Sequence, residues 1–188
     1  MRLIYHTTTV ISRKEYNLQA LMTKAKTTKY LKSRAEIMPI HIRNIPDSIT
    51  RAVIIPACAE DGWLQQTIYS LEQNPAEECR QTLVLVVVNG PAPDKNNSDY
   101  HQAKSKMQEN NLKTLTFLNN HINETGLNLA WIDCASPGHE MADDKGVGLA
   151  RKIGVDSVLK RLYGESDREI RSQCKEDKFV ILHLDADT

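Results

Sequence analysis

Residues 179–188 are Phe179-Val180-Ile181-Leu182-His183-Leu184-Asp185-Ala186-Asp187-Thr188, an apolar run followed at once by two carboxylates. The apolar run predicts a β-strand that is buried on both faces of a parallel sheet. Open α/β sheets bind their ligands beyond the carboxyl ends of the strands. We therefore expect Asp185 and Asp187 to lie at the ligand-binding edge of such a sheet.

Asp185 and Asp187 stand two positions apart, and in a bend their carboxylates can turn towards one point. At that distance both stay ionised only if a cation or solvent offsets their repulsion. Carboxylate oxygens suit Mg²⁺ or Mn²⁺, and Mg²⁺ is commonly held by one or two carboxylates together with substrate phosphates. The alternative is a pair of solvated turn residues, because Asp-x-Asp is common by chance. Both interpretations stay open from this stretch alone.

The composition narrows the class of protein. The chain has 188 residues, 40% of them hydrophobic, with 24 basic and 24 acidic side chains. These values fit one soluble globular domain or most of a larger one. The zero formal net charge argues against general electrostatic binding of nucleic acid. The chain contains no run of about 18 apolar residues, so no membrane segment is predicted, and the apolar part of the first residues is too short for a secretory signal.

The cysteines and histidines show no ligand spacing. Four cysteines lie far apart without a Cys-x-x-Cys pair, at Cys58, Cys79, Cys134 and Cys174. This pattern predicts reduced thiols in a cytoplasmic protein and indicates neither a zinc site nor a disulfide framework. A full-length parent could still associate with a membrane.

Residues 1–37 differ in composition from the rest of the chain. They lack a sustained apolar period, which predicts a tail that is disordered or marginally helical around Tyr16 to Leu31. Residues 38–188 are predicted to form the folded domain. We hypothesise that Met38 is the natural start and that the first 37 residues are a dispensable arm.

The domain alternates strand and helix patterns. Apolar, β-rich runs predict further strands over 52–56, 82–88 and 127–133, with the second of them central in the sheet. Helices are predicted after each strand, and the first would have Asp61 as its cap and Trp63 on its packed face. In the second helix, Asn110-Asn111 interrupts the apolar stripe. The alternation predicts an α/β fold with a Rossmann-like parallel sheet flanked by helices.

Three stretches follow one another in a distinctive order. They are Val53-Ile54-Ile55-Pro56-Ala57-Cys58-Ala59-Glu60-Asp61, Gly146-Val147-Gly148-Leu149-Ala150-Arg151-Lys152-Ile153-Gly154 and Leu184-Asp185-Ala186-Asp187-Thr188. In order and separation they resemble the inverting family 2 glycosyltransferases with the glycosyltransferase A fold. The resemblance covers residues 51–188 and implies the nucleotide-sugar-binding part of such a domain, truncated after the Asp-x-Asp strand.

The resemblance implies a metal-dependent enzyme that transfers a sugar from a nucleoside diphosphate sugar to an unknown hydroxyl acceptor, with inversion. The implied donor-binding residues are Pro56, Ala57, Glu60, Asn89, Gly146, Arg151 and Asp185. The implied ligands of Mn²⁺ or Mg²⁺ are Asp187 and Asp185. A divalent ion there would neutralise the diphosphate as it leaves.

Two positions depart from the family pattern. Asn89 stands where an acidic residue often recognises the base, and Lys152 stands where the family usually has Asn. An amide both donates and accepts hydrogen bonds, so the base preference does not carry over. The general base of this family lies after the Asp-x-Asp, beyond Thr188, so we expect these residues to bind a donor weakly without catalysing transfer.

Three other functions are considered. A haloacid dehalogenase-like phosphatase carries Asp-x-Asp-x-Thr, whereas here Thr188 follows Asp187 directly. A nucleotidyltransferase of related fold usually carries a glycine-rich basic loop after its first strand, which residues 57–62 lack. The alternative from another class is a nucleotide-binding module without turnover.

Overall fold

The computed structural model describes residues 25–43, 49–91, 98–142, 145–163 and 179–186, with the backbone alone described for 98–104. Its strands are β1 (His41–Ile42), β2 (Arg51–Ala57), β3 (Thr82–Asn89), β4 (Asn128–Cys134) and β5 (Val180–His183). Its helices are α1 (25–33), α2 (Asp61–Glu72), α3 (Ala76–Gln81), α4 (Ser98–His121) and α5 (Val147–Tyr163). Residues 1–24, Cys174, Asp187 and Thr188 lie outside the described ranges.

The strands form one mixed sheet in the order β1-β4-β3-β2-β5. Strands β2 to β5 pair in parallel, and β1 pairs antiparallel with β4. The predicted α/β class, a mostly parallel Rossmann-like sheet flanked by helices, is confirmed. The short strand β1 was not predicted, since two residues carry almost no periodic signal. It is held where the His41 ring stacks on Trp131, with ring centroids 5.3 Å apart.

The central strand β3 separates two apolar cores. Val84, Val86 and Val88 face α2 and α4, where Leu64 and Leu118 are fully buried. Leu83, Leu85 and Val87 face the opposite core, which α5 completes with Ala150, Ile153 and Val158. Each large apolar side chain buried in this way stabilises the fold by about 1.5–3 kcal/mol. Strand β3 therefore lies at the centre of the sheet, as its unbroken apolar run predicts.

Strand β5 contradicts the expectation of burial on both faces. It pairs with β2 alone among the described strands, and Val180 and Leu182 are 49% and 48% exposed. Helix α5 packs mainly over β2 and β3. An apolar run indicates a strand but does not distinguish the centre of a sheet from its edge.

Helix α2 departs from the prediction in two details. Its first residue is Asp61, so Asp61 is not the cap; the preceding residue, Glu60, takes that position. Leu64, Thr67 and Ile68 are buried as predicted, whereas Trp63 is 58% exposed. Trp63 lies at the margin of the apolar stripe, where a helical period of 3.6 turns it away from the sheet.

Helix α5 comes unusually close to β2 at Gly154. A Cβ atom at this position would lie 2.5 Å from Ile54 Cγ2. Only a residue without a side chain allows this approach, and it brings the amino end of α5 beside the carboxyl ends of the strands.

Part of the predicted tail contacts α5. Residues 25–33 are helical, and the Tyr30 hydroxyl donates to Asp156 Oδ1 at 2.7 Å. Asp156 Oδ2 accepts the Glu36 N–H at 2.8 Å and Lys152 Nζ at 2.6 Å. Lys152 also donates to the Arg34 carbonyl at 2.8 Å. The hydrogen bond to Asp156 raises the pKa of the Tyr30 phenol. One buried carboxylate thus joins this segment to the sheet-packing helix.

None of the helices in the described ranges combines the length and the apolar character needed to cross a bilayer.

Candidate functional site

A cavity of about 540 Å³ opens at the carboxyl ends of the parallel strands. Along the chain, β3 and β4 are added on one side of β2, and β5 is then added on the other side. The direction of winding therefore reverses beside β2, which is where open α/β sheets bind ligands. The cavity's size falls in the usual range for small-molecule sites, about 300–1,000 Å³.

The cavity brings together most of the predicted donor-binding residues. Its lining includes Pro56, Glu60, Asn89, Gly146, Arg151 and Asp185. The predicted residue Ala57 does not line it, because its side chain is 1% exposed and belongs to the core beneath. Asp187, the predicted metal ligand, is outside the part of the chain that the structure describes. The donor-binding and metal-binding roles themselves stay predictions.

The loop after β2 forms one wall of the cavity through Cys58 and Glu60. Glu60 Oε2 accepts the Cys58 N–H at 3.2 Å, and Ala59 has a positive φ of 59°. That left-handed conformation is costly for a residue with a Cβ. Burial raises the pKa of the Cys58 thiol, and the Glu60 carboxylate raises it further, so the thiol stays protonated at neutral pH. Cys58 is therefore a poor nucleophile.

Two adjacent amides of α4 hold this loop in place. Asn111, 3% exposed, accepts the Ala59 N–H at 2.8 Å and donates through Nδ2 to the Asn89 carbonyl at 3.2 Å. Asn110 Oδ1 accepts the Asp61 N–H at 2.9 Å. This role of Asn110 and Asn111 was not predicted from the sequence. The sequence does carry a signal for it, because two amides interrupt the apolar stripe of the helix. Polar side chains that are buried in this way almost always have hydrogen-bond partners, so the interruption indicates a structural role.

Asn89 ends β3 at the back of the cavity and is 6% exposed. Its side-chain Oδ1 accepts no hydrogen bond within the described residues. A buried acceptor without a partner costs about 1–3 kcal/mol. The Asn89 side chain lines the cavity, so a ligand that turned Oδ1 towards the cavity and donated an N–H group to it would recover that energy.

Arg151 and Asp185 face each other across the mouth of the cavity. The Arg151 guanidinium pairs with Asp185 Oδ1, and the two side chains are 36% and 55% exposed. Exposed ion pairs contribute about 0–1 kcal/mol, so a ligand can displace this one at small cost. Arg151 lies in the first turns of α5, whose amino end begins at Gly146 and Val147. Guanidinium and helix amino terminus together favour an anion such as a phosphate.

The residues around Asp185 bear on whether a metal ion fits. The described residues contain no group of three or more His, Cys, Asp or Glu side chains able to hold one. Of the two predicted metal ligands, Asp185 lies at the cavity within the described ranges, and Glu60 from the loop after β2 adds a second carboxylate to the described lining. This donor set fits a hard cation such as Mg²⁺ or Mn²⁺ only as a shared site, completed by substrate phosphates and water.

A neighbouring loop is fixed by Asp133 at the end of β4. Its Oδ1 accepts the N–H groups of Ala135 and Ser136 at 3.0 and 2.9 Å, and His139 Nδ1 lies 3.5 Å from its Oδ2. Burial acts to raise the pKa of Asp133, but the hydrogen bonds from Ser136, Ala135 and His139 outweigh it, so the pKa is lowered. The ionised carboxylate thus organises the turn that borders the end of β3.

Comparison of the chain with protein-family models, curated proteins and solved structures gave no match. The functional interpretation therefore depends on the chemistry of this cavity and on the sequence motifs that form it.

Proposed function

We propose that this chain is the nucleotide-sugar-binding part of a metal-dependent glycosyltransferase with a glycosyltransferase A type of sheet. The reaction is transfer of a sugar from a nucleoside diphosphate sugar to a hydroxyl acceptor, by single displacement with inversion. One observation carries the proposal: six residues predicted from separate parts of the sequence line one cavity at the point where the sheet reverses its winding.

The polar groups of the cavity suit the successive parts of such a donor. Glu60 in the loop after β2 and Asn89 at the end of β3 both line the cavity, and their carboxylate and amide suit a ribose and a base. Arg151 and the amino end of α5 suit the diphosphate. Asp185, paired with Arg151 across the mouth, suits the hydroxyls of the ribose and sugar.

Asp185 and Asp187 would hold Mg²⁺ or Mn²⁺ together with the donor phosphates. When bound, the ion supplies positive charge that stabilises the departing diphosphate. Arg151 supports the same charge from the helix side, because a guanidinium forms charge-assisted hydrogen bonds to phosphate oxygens.

Calorimetric titration of the 188-residue chain with uridine, guanosine, adenosine and cytidine diphosphates, with and without Mn²⁺, tests the proposal. We expect at least one nucleotide to bind more tightly with Mn²⁺. We expect Arg151→Gln to weaken its binding about tenfold or more, because hydrogen bonds to charged groups contribute about 1.5–3 kcal/mol. Lys160→Gln, an exposed site in the last turn of the same helix, is the matched control and should bind like the unchanged chain.

The proposal fails if none of the four nucleotides binds at about 1 mM, a concentration that detects weak complexes. It also fails if Arg151→Gln binds as tightly as the Lys160→Gln control. Binding that is independent of Mn²⁺, and of Asp185→Asn, would instead identify a nucleotide-binding module without metal-dependent turnover.

A further inference from the structure

We propose that Asn111 is a positioning residue that fixes the two walls of the cavity relative to each other, so that Glu60 and Asn89 face a ligand in one arrangement. The inference rests on the proposed function in its choice of a nucleotide as the ligand. Nothing in the sequence motifs assigns Asn111 this role, since it lies on α4 and not after a strand.

The two walls extend beyond Ala57 and Val88, the last residue pair between β2 and β3, so the strand pairing itself does not fix them. One wall is the loop after β2, which carries Glu60, and the other is the end of β3, which carries Asn89. The buried carboxamide of Asn111 spans them, accepting from the Ala59 N–H and donating to the Asn89 carbonyl. Both hydrogen bonds use backbone groups, so the link fixes the course of the chain and leaves the Asn89 side chain available.

The loop after β2 requires such support because of Ala59. Its φ of 59° places a residue with a Cβ in the left-handed region, which costs about 1–3 kcal/mol. Conformations of this kind persist only when surrounding contacts determine them. The hydrogen bond to Asn111 at 2.8 Å and the neighbouring bond from the Asp61 N–H to Asn110 at 2.9 Å provide those contacts.

The end of β3 is shaped to receive the Asn111 amide. A Cβ atom on Gly90 would lie 3.0 Å from Asn111 Nδ2 and 3.3 Å from the Ala135 Cβ. A side chain at Gly90 would therefore crowd the Asn111 amide and require it to shift. The buried amide of Asn111 thus packs in space that is open only because Gly90 has no side chain.

Fixing the walls in advance strengthens ligand binding. A binding site that is already ordered avoids the entropy cost of ordering loops when the ligand arrives. Supporting hydrogen bonds behind the contacting side chains hold them in a productive geometry. Loss of Asn111 should therefore loosen the loop that carries Cys58 and Glu60 and weaken the binding of a nucleotide.

The test uses the Cys58 thiol as a probe of the loop that needs no ligand. Cys58 is half-buried beside Ala59, whereas Cys79 and Cys134 are buried. In a chain with Cys174→Ser, the rate of Cys58 alkylation by iodoacetamide is measured by mass spectrometry. We expect Asn111→Leu, which keeps the number and branching of the side-chain heavy atoms and removes both hydrogen bonds, to raise this rate about tenfold. We expect nucleoside diphosphate affinity to fall by a similar factor, about tenfold.

Thr114→Val is the matched control. Thr114 lies on the same helix, is 1% exposed and has a hydroxyl without a partner among the described residues. It should change neither the alkylation rate nor the affinity. Gly90→Ala is a second route, because it displaces the Asn111 amide while leaving Asn111 itself intact, and it decides the matter if Asn111→Leu does not fold.

An unchanged Cys58 rate in folded Asn111→Leu and Gly90→Ala would overturn the positioning role. So would a raised rate with unchanged nucleotide affinity. If the unchanged chain binds none of the nucleotides, the proposed function fails, whereas a raised Cys58 rate in the two variants still supports Asn111 as the residue that fixes the cavity walls.

Discussion

The Asn89 side chain lowers the stability of the fold, and the same side chain lines the cavity where a ligand would bind. Its Oδ1 is buried at the back of the cavity without a hydrogen-bond partner in the described structure. Replacing an unpartnered polar group by an apolar group of similar shape is often neutral or stabilising. A residue kept at such a position for ligand binding should therefore show opposite effects on stability and on affinity.

We predict that Asn89→Leu leaves the free energy of unfolding unchanged or raises it by about 1 kcal/mol, while nucleoside diphosphate affinity falls about tenfold or more. Urea denaturation and calorimetric titration measure the two quantities. Asn128→Leu is the matched control, because Asn128 Nδ2 donates to the carbonyls of Cys79, Arg80 and Thr82 at 2.9–3.1 Å. It should destabilise the fold and leave the affinity of the remaining folded protein unchanged. A clear loss of stability in Asn89→Leu would contradict this account.

At the level of the element, helix α5 is positioned by a glycine. The Gly154 backbone approaches β2 so closely that an added Cβ would meet Ile54 Cγ2 at 2.5 Å. Ile54 is fully buried in the core, so it has little room to move. Forcing extra atoms into a well-packed core typically costs about 1–3 kcal/mol.

We predict that Gly154→Ala lowers the free energy of unfolding by about 1–3 kcal/mol, against the helix propensity of alanine. The same substitution at Gly148 should be neutral or raise it by up to about 1 kcal/mol, because Gly148 is exposed in the same helix with nothing within 4 Å of an added Cβ. Thermal and urea denaturation of the two variants compare these effects. Equal stability of the two variants would show that the close approach does not constrain α5.

The elements could be predicted where local pattern and burial agree. The six apolar residues before Asn89, residues 83–88, identify β3 and its central place, because a strand covered on both faces is typically a near-continuous apolar run. The same reasoning failed for β5, whose apolar residues lie at an edge. Whether a strand has one or two neighbours depends on the order of strands in the sheet. That order cannot be predicted from the composition of the strand itself.

The cavity was predictable to a similar extent. Glu60, Asn89 and Asp185 lie at or just after the ends of strands, and parallel strands end at one edge of a sheet, so their meeting follows from topology. Asn110 and Asn111 come from the middle of a helix, and the residues they hold in the loop after β2, Asp61 and Ala59, lie about fifty positions away in the sequence. Such long-range hydrogen bonds leave only a weak local mark, here the polar break in an apolar stripe.

At the level of the whole molecule, Asp156 joins the segment around α1 to the sheet domain. The carboxylate is 1% exposed and accepts hydrogen bonds from Tyr30, Glu36 and Lys152, which belong to two parts of the chain. Lys152 completes the link by donating to the Arg34 carbonyl. These hydrogen bonds give Lys152 a structural role, because its ammonium group points to the amino-terminal segment. They account for a lysine at a position where the resemblance led us to expect Asn.

We predict that Asp156→Ala releases this segment and speeds trypsin cleavage after Arg34 about tenfold or more. Hydrogen bonds to a charged acceptor contribute about 1.5–3 kcal/mol, and cleavage follows the population of the opened segment when opening is fast. Ser157→Ala is the matched control, because Ser157 is the next residue of α5, is 2% exposed and has a hydroxyl without a partner in the described ranges. Tyr30→Phe removes one of the three donors to Asp156 and should give an intermediate rate. If Asp156→Ala were cleaved no faster than Ser157→Ala, the contacts of α1 with α5 would have to be held by groups other than this carboxylate.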